Sequence, residues 1–176
     1  MATMILLPDA TGISSAHWVA VGETYRHQCL DDDNDNTSYV RCSVDAKSML
    51  IGYANPSVAE ADIDTIDSVA FVSSGKAVHR TDPSLVDIDW VTPSGNPTES
   101  CSYNAHRTNY ETINGTARPY SDGSSAAWTY ANLEALELTC TKQQIIQVYL
   151  SYLALEVTYT EAVAAADNAT FFGANF

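Results

Sequence analysis

Between residues 143 and 159 the chain carries its longest run of alternating apolar residues, and the alternation changes phase partway. Ile146, Val148, Leu150 and Tyr152 form one set; Leu153, Leu155, Val157 and Tyr159 form a second set in the opposite phase. Side chains of an extended strand point alternately to its two faces, so no regular strand keeps both sets inward. One extra residue near Tyr152-Leu153 resets the pleat, and a β-bulge is expected there. Leucine and alanine admit a helix over the same stretch, but the β-branched and aromatic content favours a strand.

The rest of the chain reads in the same way. Gly12, Gly22, residues 31–36, Asn55-Pro56, Ser74-Gly75, residues 93–97, Asn114-Gly115 and residues 121–125 punctuate short runs rich in Val, Ile, Tyr and Thr. Short strands at this spacing predict an all-β, antiparallel sandwich or barrel. Residues 38–43, 48–54, 68–73 and 85–92 are the clearest strands among the early ones. In the last of these Val86, Ile88 and Trp90 alternate with Asp87 and Asp89, which puts the first three inward and the aspartates in solvent. Asn114-Gly115 has the residues of a type I′ turn and predicts a hairpin pairing 110–113 with 116–120. Pro119 confines the second arm to an edge. Residues 131–138 have helical spacing, with Leu133 and Leu136 near one face, and predict a short helix or turn before the last strands. No internal repeat or long linker divides the chain, so residues 1–160 are taken as one sandwich domain and 161–176 as a C-terminal tail.

Charge narrows the function. Eight Lys and Arg stand against 22 Asp and Glu, a net charge of −14. Such a surface repels phosphate backbones and excludes direct nucleic-acid binding as the expected role. No run reaches the length of a membrane-spanning helix. The stretch from Met1 to Pro8 has no basic residues before its apolar run, which argues against a secretory signal. The sequons at Asn36, Asn114 and Asn168 are therefore read as accidental. Cys29, Cys42, Cys101 and Cys140 are widely spaced with no C-x-x-C pair, so buried thiols are expected, Cys42 facing inward. One or two bridges are the alternative.

Catalytic motifs are missing from the sequence. There is no nucleophile elbow, P-loop or dinucleotide fingerprint. His17, His27, His79 and His106 are scattered and read as surface or hydrogen-bonded histidines. No enzyme and no cofactor is expected. One loop has ligand chemistry: Asp31, Asp33 and Asp35, within Asp31-Asp32-Asp33-Asn34-Asp35-Asn36, supply hard oxygens of the kind calcium takes. The EF-hand pattern fails there, and an acidic solvated turn before the next strand explains the same residues.

Several motifs in order resemble a known family. Trp18 is followed by the aspartate-rich loop running into Thr37-Ser38-Tyr39-Val40. Then come Trp128-Thr129-Tyr130-Ala131-Asn132-Leu133-Glu134-Ala135-Leu136 and the strand opening Gln147-Val148-Tyr149-Leu150. Residues 15–159 resemble small jelly-roll virion proteins of tailed phages, although here the last strand is longer and a tail follows. The resemblance implies a jelly-roll-like sandwich that decorates or cements the capsid exterior, with the major capsid protein and neighbouring copies of itself as partners. It implies no catalytic residues.

The tail fits that expectation. Phe171, Phe172 and Phe176 are three of the four phenylalanines in the chain. Burying each in a neighbour's groove contributes about 1.5–3 kcal/mol, which makes them the expected partner-binding residues. The alternative function is a carbohydrate-binding sandwich of a tail fibre or receptor-binding protein, with some of ten tyrosines and three tryptophans as stacking platforms.

Overall fold

A computed structural model describes residues 1–14, 16–31, 37–78, 83–103, 109–144 and 146–163. The strands are β1 (Ala2–Leu6), β2 (Pro8–Ser14), β3 (Trp18–Val21), β4 (Tyr39–Cys42), β5 (Lys47–Tyr53), β6 (Ile63–Ala77), β7 (Ser84–Val91), β8 (Thr98–Tyr103), β9 (Glu111–Asn114), β10 (Glu137–Lys142) and β11 (Val148–Glu161). They form an antiparallel, jelly-roll-like β-sandwich. One sheet has the order β3-β4-β11-β6-β9, with β1 also on β11; the other has the order β2-β5-β10-β7-β8. Among these strands the chain crosses between sheets at every step except β3 to β4 and β7 to β8.

β11 organises the first sheet. It pairs with β6 along its whole length, so β4 at residues 148–150 and β1 at 155–159 share its other side end to end. The expected bulge is present: Leu150 lies opposite Gly75 and Tyr152 opposite Ser74, which leaves Ser151 as the extra residue. It falls one position earlier than the phase change suggested and takes Tyr152 out of the inward set. Val148, Leu150, Leu153, Leu155 and Val157 are fully buried, as the reset pleat requires.

Between the sheets lies one apolar core. Trp90 of β7 is central, its ring 6.3 Å from Phe71 of β6 and 6.2 Å from Trp128. Val86 and Ile88 are buried beside it, while Asp87 and Asp89 face outward and accept hydrogen bonds from Ser100 and Thr98 of β8. All four cysteines are free thiols and buried, Cys42 on the inward face of β4.

The hairpin at Asn114-Gly115 does not form. Neither residue has a positive φ, and β9 pairs with β6 instead, Asn114 opposite Val72. The strand direction continues past the glycine: Gly115 donates to the Phe71 carbonyl at 2.7 Å, and Arg118 bridges to Val69. Gly115 is needed for space. A Cβ there would lie 2.5 Å from the Phe71 ring, so the missing side chain lets the phenylalanine lie flat beneath the strand.

The helical segment is shorter than its spacing implied. α1 spans Tyr130–Glu134, and Leu138 already belongs to β10. Thr129 caps it reciprocally with Asn132: the Asn132 backbone N–H donates to the Thr129 hydroxyl, and the Thr129 N–H to the Asn132 side-chain oxygen.

Just upstream, Asp122 turns the chain with its carboxylate, which accepts from the backbone N–H groups of Ser124, Ser125 and Ala126 at 2.8–2.9 Å. These bonds hold the carboxyl well below the usual carboxylate range. A lowered folded value adds stability that is fully present above the unfolded value of about 4 and is lost as pH falls below it. Asp122→Asn keeps an acceptor without the titration. Its melting temperature is therefore expected to fall less steeply than the parent's on acidification from pH ~4, measured by thermal denaturation across a pH series.

Candidate functional site

At the β2–β3 border, where both sheets end, the chain leaves β3 through Gly22 and closes the sandwich with residues 22–30. Gly22 has φ +94°, and a Cβ there would collide with the Thr37 carbonyl oxygen. Only glycine meets both conditions. The chain then makes a single 3-10 turn at His27–Cys29, with Cys29 and Leu30 buried as its anchor.

This closure shapes a groove of about 500 Å³ lined by Thr11, Trp18, Val19, Glu23, Tyr25 and Arg26, among others. Tyr25 is its most exposed aromatic side chain, at 58%. The ring is nevertheless fixed, because it stacks on His27 with centroids 5.6 Å apart and planes 9° from parallel. His27 is held in turn by Thr11: its backbone N–H donates to the Thr11 hydroxyl at 3.1 Å, and the hydroxyl lies 3.2 Å from Nδ1. Since the hydroxyl oxygen accepts from the N–H, its own proton is free to point at Nδ1.

Arg26 is positioned by the sheet edge. Its Nε donates to the Trp18 carbonyl at 2.5 Å, satisfying an acceptor on β3, which among the described residues is an edge strand. Glu23 and Thr24 are exposed beside it. The groove therefore combines a pre-oriented aromatic plane, a guanidinium, a carboxylate and a hydroxyl.

A second aromatic group occupies the outer face of the β3-β4-β11-β6 sheet. Trp18, Cys42, Val148 and Ala77 are buried in the core, so their strand neighbours Val19, Arg41, Tyr149 and Lys76 face the other way. Tyr39 stacks on Tyr149 at 4.7 Å, and the Tyr149 hydroxyl donates to Gln147 at 3.3 Å. The Lys76 ammonium lies 4.3 Å from the Tyr110 ring centroid and 5.6 Å from that of Tyr149. Burial lowers this lysine from its ordinary value.

A smaller cleft of about 270 Å³ lies at the other end of β6, lined by Glu60, Asp64, Trp128 and Tyr130 with their neighbours. Trp128 is committed to the core there, donating from Nε1 to the Arg118 carbonyl at 2.8 Å.

The residues singled out in the sequence fall elsewhere. Asp31 is exposed and bridges to Tyr152; Asp33 and Asp35 lie outside the described residues. Among the described residues no group of three or more His, Cys, Asp or Glu side chains is placed to hold a metal ion. Phe171, Phe172 and Phe176 also lie outside the described residues. Sequence reading missed the groove. Its signal is short: Tyr25-Arg26-His27 sets two rings on either side of a cation, immediately after Gly22-Glu23-Thr24.

No family model and no curated protein matches the chain. Among solved structures it is similar to the CBM22-1 xylan-binding domain from Paenibacillus barcinonensis Xyn10C, at 11% identity and a TM-score of 0.45, over 88% of this chain and 97% of that one. It is also similar to a family 16 carbohydrate binding module-2, at 12% identity and a TM-score of 0.37, over 79% and 84%. A third is the N-terminal cellulose-binding domain from Cellulomonas fimi β-1,4-glucanase C, at 15% identity and a TM-score of 0.33, over 84% and 90%. The likeness to these structures is one of fold alone.

Proposed function

We propose that the protein is a carbohydrate-binding β-sandwich module that acts by binding rather than catalysis. The observation that carries this reading is Tyr25, an exposed ring stacked on His27 in a groove where exposed Glu23 and Thr24 stand beside the exposed apolar Val19. A sugar ring is amphipathic in the matching way. Its C–H face covers an aromatic plane while its hydroxyls reach outward to donors and acceptors. Arg26, Glu23 and Thr24 supply those partners. Because Tyr25 is already immobilised, little side-chain entropy is lost when a ligand covers it.

The test is a glycan array followed by titration of the best ligands, with soluble xylan and cellulose-derived oligosaccharides included. Tyr25→Ala is expected to weaken binding by about tenfold or more, the loss of one aromatic contact and its fixed geometry. The melting temperature should change little, because the ring is largely solvent-exposed. Absence of binding across the array would overturn the reading. Retention on tailed-phage capsids that soluble sugars do not compete would favour the capsid-decoration role instead.

A further inference from the structure

The groove and the outer-face tyrosines are neighbours. Val19 belongs to both: it lines the groove, and it opens a row in which Val19 lies opposite Arg41, Arg41 opposite Tyr149 and Tyr149 opposite Lys76. Adjacent strands are ~4.8 Å apart, so the row crosses roughly 14 Å of sheet from Val19 to Lys76. The solvent face of an antiparallel sheet is ordinarily polar. Here it carries an exposed valine and a half-buried stacked tyrosine pair, and at the far end Lys76 is buried beneath a third tyrosine, Tyr110. Arg41 stands exposed between Val19 and Tyr149, its donors directed away from the core.

We infer that the ligand is an extended, uncharged polysaccharide that starts in the Tyr25 groove, passes over Val19 and Arg41, and lies on the Tyr39–Tyr149 pair. This rests on the carbohydrate-binding reading and specifies its ligand. A path across the strands brings successive sugar units over different side chains: Tyr25 first, then the Arg41 guanidinium, then the stacked tyrosines. The charge of the whole chain sets the class. With a net charge of −14, a polyanionic glycan is repelled at long range, whereas a neutral chain pays no such penalty.

The experiment is calorimetric titration of the full chain with xylo-, cello- and manno-oligosaccharides, from disaccharide to hexasaccharide. Affinity is expected to rise about tenfold or more along the binding series, as each added unit reaches a further side chain. Tyr149→Ala should abolish that gain, so that hexasaccharide and disaccharide bind alike. Arg41→Gln, which leaves the tyrosine stack in place, should cut hexasaccharide affinity several-fold. Tyr25→Ala should weaken every length. Polygalacturonate should fail to compete.

Length-independent affinity, or a length gain intact in both Tyr149→Ala and Arg41→Gln, would confine the glycan to the groove and the tyrosines to cross-strand packing. Competition by polygalacturonate would overturn the uncharged class. If no series binds at any length, the carbohydrate reading falls together with this inference.

Discussion

Trp90→Ala is expected to cost about 3–5 kcal/mol, a large share of the stability of a domain this size. Trp90 is fully buried where the two sheets meet Trp128, and truncation opens a cavity walled by Phe71, Trp128 and the Arg118 guanidinium. Those walls are fixed from outside the cavity. Phe71 lies under Gly115, Trp128 is hydrogen-bonded to the Arg118 carbonyl, and Arg118 is paired with Glu99 at 3.4 Å. A cavity with such walls collapses poorly, which places the cost high in its range. The midpoint of thermal unfolding should fall by roughly ten degrees or more. Trp90→Phe should be far milder. Its ring keeps most of the packing, and the indole Nε1 it removes is buried without a hydrogen-bond partner, so one unfavourable group disappears with it. Equal losses for the two variants would show that the indole contributes something other than volume.

Asp45→Ala has the next largest expected effect, about 3 kcal/mol of destabilisation. Lys142 of β10 is fully buried on the inward face, and its ammonium donates to the Asp45 carboxylate at 2.6 Å. Asp45 sits in the β4–β5 connection, next to Ala46, whose positive φ of 52° and N–H bond to the Lys142 carbonyl hold the turn against β10. The two partners differ in what they lose. Asp45 is 39% exposed, so without Lys142 it rehydrates, whereas Lys142 without Asp45 remains a buried cation. Lys142→Met, which removes the charge and keeps the stem volume, is therefore expected to be nearly neutral or stabilising. The double variant should resemble Lys142→Met alone. Chemical denaturation of all four proteins measures the asymmetry. Equal destabilisation by Asp45→Ala and Lys142→Met would show that the pair itself, rather than the buried charge, is what the fold requires.

Much of the sandwich is legible in the sequence where a strand has one wet face and one dry face. Val86, Ile88 and Trp90 declare β7 because Asp87 and Asp89 between them are solvated. The bulge is legible for the same reason: a phase change cannot be hidden when one side of β11 must stay dry. Asn114-Gly115 misleads because turn chemistry is local, whereas β6 offers a long unpaired edge that no local pattern reveals. The strand takes that edge, and Gly115 serves as space for Phe71. The candidate site is harder to see for a related reason. Tyr25 and Tyr149 are 124 positions apart by their numbering, and only the register of β3, β4 and β11 brings the groove beside the tyrosine pair. A tyrosine on an outer face has the same alternation as a serine there. Periodicity marks its side of the sheet and says nothing of its neighbours.

The position of β11 has a consequence for how the molecule is made. It follows every other described strand in sequence and yet joins β1, β4 and β6, so none of these gains its β11 neighbour until residues 148–161 have been made. On the ribosome the first sheet waits as β1 and two separate pairs, β3 with β4 and β6 with β9, while in the second sheet β2 and β5, and likewise β7 and β8, can already pair. Closure is then a late event in which β11 joins β1 to the β4 and β6 pairs, slow because of the loop it must close and exposed to mispairing while it waits. A nascent chain stalled before residue 148 should therefore engage chaperones, and release of the final strand should free it.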